Sequence, residues 1–258
     1  MLRNTSAIKG YAIMANDDPL GHVSDFLFDD VNWSVRWLVV DSGNWLFGRK
    51  ALLLPSAVKQ LDPDAKEIFV ELTMQQVRDS PEIGTDLPVS RQTESELFGY
   101  YGTSPYWGAG IYTGGYGDAN GAVAAAPSPG VGRSEESFDD HRRSEGDPHL
   151  RSTEIVTGYH VHATDGEIGH IEDFLVDDAD WGIHFLIVDT SNWWSGKKVL
   201  ISPHTVRKVD WMDRLVDLPV ERQRVKDSPA FDTAATVDPA FETYFHDYYR
   251  DERPKTAP

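Results

Sequence analysis

The chain has 258 residues and no cysteine, and its 42 acidic against 24 basic side chains leave a formal charge of −18. Disulfide scaffolds, thiolate metal sites and cysteine nucleophiles are therefore excluded, and the acidic balance opposes the phosphate neutralisation on which general nucleic-acid binding depends. With 40% hydrophobic residues and eight Trp, there is apolar material for one or two cores.

Met1 to Ser6 leads into Lys9-Gly10 without an apolar run, so neither a secretory leader nor a membrane anchor is expected. No later stretch approaches the roughly 18 apolar residues of a membrane-spanning helix. The expectation is a soluble, cytoplasmic protein.

Gly10 to Met14 reads as a strand, followed by turn chemistry at Asn16-Asp17-Asp18-Pro19. A second strand, Gly21 to Asp29, ends in the turn Asp30-Val31-Asn32. On the third, Ser34 to Asp41, Val35, Trp37 and Val39 share a core-facing side. After the loop Ser42 to Arg49, Ala51 to Leu54 forms a fourth strand closed by Pro55. Ile68, Val70 and Leu72 alternate in a later one. Thr73-Met74-Gln75-Gln76 has the form of a capping box, so a short helix should run to the Ser80-Pro81 break. A second capping box at Thr93 to Glu96 opens a helix bearing Leu97, Tyr100 and Tyr101.

The same pattern then recurs at a constant offset of 148 residues. Gly10-Tyr11 returns as Gly158-Tyr159, Gly21-His22 as Gly169-His170, Asp25-Phe26-Leu27 as Asp173-Phe174-Leu175, and Asp29-Asp30 with Trp33 as Asp177-Asp178 with Trp181. Asn44-Trp45 and Asp79-Ser80-Pro81 return as Asn192-Trp193 and Asp227-Ser228-Pro229. A C-terminal helix from Asp238 and Pro239 carries Phe241, Tyr244, Phe245, Tyr248 and Tyr249 at helical spacing. Between the copies, ten of the 21 glycines fall from Gly99 to Gly132, and a charged stretch follows. This predicts domains at 8–101 and 155–250, a flexible linker at 102–154 and a disordered tail at 251–258.

These residues resemble the PRC-barrel family, named for the cytoplasmic domain of the photosynthetic reaction centre H subunit. The resemblance rests on Leu20-Gly21-His22 through Asp29, Val35 through Asp41, and Asn44 through Lys50 before Leu52-Leu53-Leu54-Pro55. Copy two repeats these as Ile168 through Asp177, Ile183 through Asp189, and Asn192 through Lys198. It implies a mainly β protein of two tandem small barrels, each with short C-terminal helical segments, acting in interaction or assembly. It brings no catalytic residue and no cofactor.

Histidine offers the remaining route to a transition metal: His160 and His162 share a strand face, with His170, His184 and His204 in the same copy. Exposed strand histidines are the favoured reading, since Ala12, Met14 and Ser56 replace His160, His162 and His204 in copy one. The Asp29-Asp30 and Asp177-Asp178 pairs read as turn caps, and Asp25 and Asp173 as buried acceptors of a backbone hydrogen bond across the barrel. Two aromatic loops, Asn44-Trp45-Leu46-Phe47 and Asn192-Trp193-Trp194, either close the core or face a partner. Leu97, Tyr100, Tyr101, Phe241, Tyr244, Phe245, Tyr248 and Tyr249 are candidates for packing the two barrels together.

The expectation is a non-enzymatic interaction or assembly module with a protein partner, its two barrels packed on each other. The alternatives are an accessory protein in peripheral contact with a photosynthetic or electron-transport membrane complex, and a metal-binding or enzymatic role for copy two.

Overall fold

A computed structural model describes residues 1–43, 46, 48–81, 91–103, 149–191, 197–232 and 239–250. The expected tail at 251–258 and most of the expected linker lie outside them. The chain divides into two compact units, Met1–Arg78 with His149–Pro258, and Asp79–Pro148.

The first copy opens with β1 (Leu2–Asn4) and a single helical turn, α1 (Thr5–Ile8). There follow β2 (Ala12–Met14), β3 (Pro19–Asp29), β4 (Ser34–Asp41), β5 (Lys50–Leu53), β6 (Val58–Asp62), β7 (Glu67–Val70) and helix α2 (Met74–Arg78). Helix α3 (Arg91–Tyr100) belongs to the second unit. The second copy repeats the order as β8 (Leu150–Ser152), α4 (Thr153–Val156), β9 (His160–Ala163), β10 (Gly166–Asp177), β11 (Ile183–Asp189), β12 (Lys198–Ile201), β13 (Lys208–Asp210), β14 (Leu215–Asp217), α5 (Arg222–Asp227) and α6 (Pro239–Arg250).

Two seven-stranded sheets result, with strand orders β5-β4-β3-β2-β7-β6 and β12-β11-β10-β9-β14-β13. In each, one parallel pair, β2 with β7 or β9 with β14, interrupts the antiparallel ladder. In each sheet one glycine permits a close approach between neighbouring strands. Gly21 has φ +134°, and a Cβ there would stand 2.1 Å from the Asp41 carbonyl oxygen; Gly169 has φ +146° and the same conflict with Asp189 at 2.0 Å. Only glycine accommodates both the backbone and the approach, which accounts for the recurring Gly-His pairs.

The seventh strand of each sheet comes from the other copy. β1 pairs antiparallel with β10, Leu2 facing Asp177 and Asn4 facing Leu175. Reciprocally, β8 pairs with β3, Leu150 facing Asp29 and Ser152 facing Leu27. The expected boundaries change accordingly: the first copy begins at residue 2 rather than 8, and residues 150–154, expected as linker, form β8 and enter α4. Leu150 and Val156 are buried, and apolar burial of that size fixes a segment that composition alone assigns to a coil.

The Thr73 capping box closes as expected, the Thr73 N–H donating to Gln76 Oε1 at 2.8 Å and the Gln76 N–H to Thr73 Oγ1 at 3.2 Å. Glu221 makes no side-chain cap in copy two, yet α5 forms. Asp165 accepts the Arg222 N–H at 2.7 Å, as Asp17 accepts the Met74 N–H at 2.9 Å, so a carboxylate from the β9–β10 turn does the work of a cap.

Candidate functional site

The buried carboxylates lie where the copies exchange their leading segments. Asp173, buried on β10, accepts from Thr5 Oγ1 at 2.5 Å, Ser6 Oγ at 2.5 Å and the Ser6 N–H at 3.2 Å. Asp25, buried on β3, accepts from Ser152 Oγ, from Thr153 Oγ1 at 2.8 Å and from the Glu154 N–H at 3.1 Å, with the Lys9 ammonium at 3.1 Å. Each therefore holds the first turn of the other copy's helix. The backbone N–H donors expected from within a single barrel come instead from the sister copy, Ser6 for Asp173 and Glu154 for Asp25, together with hydroxyl donors, because the exchange brings a helix start to that depth. Charge-assisted bonds of this kind are stronger than neutral ones.

The rim repeats the reciprocity. Arg3 donates to Asp178 at 2.7 Å and Arg151 to Asp30 at 2.9 Å. Met1 and His149 occupy equivalent places, the Met1 ammonium 2.9 Å from Asp177 Oδ1 and His149 2.9 Å from Asp30. Partial burial by itself would raise Asp177 and Asp178; the Met1 ammonium, helped by the Ala179 N–H at Asp177 and by Arg3 at Asp178, outweighs it and holds both below the usual carboxylate value. Asp29 serves as a turn cap, accepting the Val31 and Asn32 N–H groups at 2.8 and 2.7 Å. It also makes a buried ion pair with Arg36.

At the centre, aromatic rings cross between copies. Phe28 lies 5.7 Å from Phe174, and Phe26 lies 6.2 Å from Trp181. The signal that would have revealed this region is the repeat itself: Leu2, Arg3 and Thr5 recur as Leu150, Arg151 and Thr153 at the same offset, ahead of Gly10.

Of the aromatic loops, Asn44, Trp45, Phe47, Asn192, Trp193 and Trp194 lie outside the described residues. Leu46 is buried. The loop bases are built alike. Ser42 donates to the Arg49 carbonyl and Thr190 to the Lys197 carbonyl, both at 2.6 Å. Arg49 reaches the Arg78 carbonyl at 3.0 Å, and Lys197 the carbonyls of Lys226 and Ser228, so a cation at each base covers the C-terminal end of α2 or α5.

His160 bonds to Glu167 at 2.8 Å and stands opposite His170 across the β9–β10 pair, while His162 stands opposite Glu167. Among the described residues, no three metal-ligating side chains converge. In α3, Leu97 is buried and Tyr100 exposed, with Tyr101 edge-on to Tyr100 at 5.3 Å; burial pushes the Tyr101 hydroxyl up to about 12. In α6, the Phe241 side chain is outside the described residues and Tyr244 is exposed. Phe245 is buried with Leu2, Leu175, Phe185, Ile187, Leu200 and Phe231. Tyr248 lies under the Arg224 guanidinium at 4.5 Å, and burial raises Tyr249. Phe245 thus covers its own sheet and reaches the other copy through Leu2, whereas the exchanged segments and the Phe28/Phe174 contact supply most of the packing between copies.

The family model for the PRC-barrel domain matches residues 3–76. That stretch, in the first copy, is similar to a PRC-barrel domain. Comparison with curated proteins returned no match. The matched segment is shared between two sheets, since its first residues, Arg3 and Asn4, are hydrogen-bonded into the sheet of the second copy. The second copy reproduces the strand order of the matched segment from β2 to β7. Among the described residues no helix is long and apolar enough to cross a membrane.

Proposed function

We propose that the chain is a non-catalytic interaction and assembly module of the cytoplasm, made of two PRC-barrel copies joined by strand exchange. The observation that carries this reading is the engagement of Asp25 and Asp173. These buried carboxylates of the strand framework hold the leading helices of the opposite copy, which is a structural task. The paired loop bases support it as well: identical hydroxyl-to-carbonyl clasps anchor two aromatic loops of different sequence, Leu46-Phe47 against Trp194-Ser195. Trp-bearing loops on a fixed base suit protein recognition.

The test is capture of binding partners by wild-type protein and by Trp45→Ala and Trp193→Ala variants of unchanged melting temperature. Loss of a specific protein partner from either variant supports the reading. Retention of every partner by both variants, or turnover of a small-molecule substrate by the purified protein, overturns it.

A further inference from the structure

The two copies are alike at the rim of their junction and unlike at its centre. Arg3 with Asp178 and Arg151 with Asp30 are one bridge made twice. At the centre, the repeat offset puts Val176 where the first copy has Phe28, both fully buried. Phe28 meets Phe174 of the sister copy at 5.7 Å, whereas the pair equivalent to these by the offset, Val176 and Phe26, has one ring. The tryptophans follow that difference. Trp33 stacks on Phe28 of its own copy, and Trp181, with valine in that place, leans on Phe26 of the sister copy. One large and one small side chain thus share a close-packed centre. Pairing two first copies would bring two Phe28 rings into the space that now holds one. Pairing two second copies would leave two valines and a void, and both changes cost stability.

Neither copy is complete without an unlike partner. Without the sister's leading segment, Asp173 would keep the Phe174 N–H at 2.8 Å and Asp25 the Lys9 ammonium at 3.1 Å, and both would lose their hydroxyl donors. None of these contacts requires the unlike copy to be on the same chain. Residues 79–148 join the copies, a length of chain whose upper reach of about 200 Å exceeds the width of a small domain several times over.

We propose that a second copy of this chain is a partner, two chains closing into a dimer in which the first copy of each exchanges strands with the second copy of the other. The β1–β10 and β3–β8 pairings of the single chain are all kept, and the difference between Phe28 and Val176 disfavours pairing of like copies. Exchange of identical elements is a low-cost route to dimers. Concentration sets the balance between the two forms: a tethered copy competes at an effective concentration of up to roughly millimolar, so the single chain prevails when dilute. The surface used is the junction between copies rather than the aromatic loops, so this proposal stands or falls separately from recognition by the loops.

The test uses two full-length variants, mixed in denaturant and refolded together at about 50 µM, below that effective concentration. Arg3→Glu with Asp30→Arg reverses the rim charges of the first copy, and Asp178→Arg with Arg151→Glu those of the second. Within either variant, like charges then face each other at both bridges; in the exchanged dimer of one variant with the other, all four bridges are restored. The mixture should elute at twice the 28.9 kDa of one chain, and each variant refolded alone should not. A mixture without dimer overturns the proposal, whether or not the single variants fold. Dimer formed by either variant alone overturns the pairing of unlike copies, because a reversed rim is complementary to itself.

Discussion

Trp33 and Trp181, separated by the repeat offset, each adopt a left-handed backbone, with φ of 52° and 62°, and each offers its carbonyl to the other copy. The Ile183 N–H donates to Trp33 at 2.7 Å and the Val35 N–H to Trp181 at 2.8 Å. A bulky residue at positive φ costs roughly 1–3 kcal/mol and persists only where its surroundings demand it. Here the demand is the junction. The left-handed turn aims the carbonyl across to the partner strand, while the ring stacks on Phe28 at 5.5 Å in copy one or meets Phe26 in copy two.

Trp33→Ala is expected to destabilise the protein by about 3 kcal/mol or more, the usual cost of a large-to-small change at a buried aromatic. Trp33→Gly removes the same ring but relieves the backbone, so it should be no worse than the alanine variant despite glycine's greater flexibility. Urea unfolding of both variants checks the order; a clearly more stable alanine variant would show that the φ value carries no strain.

Thr5 and Asp173 should be energetically coupled. Thr5→Val leaves a buried carboxylate short of a donor, and Asp173→Asn replaces its charge; each alone should cost about 1–3 kcal/mol. The double variant should fall short of the sum by about 1 kcal/mol, because the valine removes the very bond that the asparagine weakens by taking the charge from its acceptor. A double-mutant cycle by chemical denaturation measures this, and strict additivity would deny the link between α1 and β10.

Cutting the chain between the copies should not separate them. A protease site inserted within 104–148 and cleaved in the folded protein is expected to leave both fragments co-eluting in size exclusion, since each sheet keeps a strand of the other copy. Arg3→Glu combined with Arg151→Glu places like charges at Asp178 and Asp30 and should loosen the nicked complex. Fragments of the unmutated protein that part at micromolar concentration would contradict the exchange.

Asp178→Asn should destabilise at neutral pH and matter less in acid. Its carboxyl titrates below the usual value in the folded chain, so the stability it confers is complete above the unfolded value of 3.8 and disappears as pH falls through the folded one. Denaturant midpoints of wild type and variant should therefore converge between about pH 4 and about pH 2. A gap that persists in acid would mean that packing, rather than charge, is lost.

Much of this molecule was legible in its sequence. Alternation of apolar residues in Val35, Trp37 and Val39 and in Ile183, Phe185 and Ile187 specified buried strands, and the offset of 148 determined that there are two copies of one framework. The partner of the leading segment was not legible. Alternation states which face of a strand is buried, but Leu2-Arg3-Asn4 and Leu150-Arg151-Ser152 would fit either of two nearly identical sheet edges, with Asp30 or Asp178 waiting for the arginine in both. Only the tertiary structure decided between them, by seating each segment on the opposite sheet, where Asp25 and Asp173 meet the first turn of the incoming helix. The reason is physical: local pattern fixes burial and register, whereas the choice between equivalent partners depends on long-range geometry that no short stretch of sequence encodes.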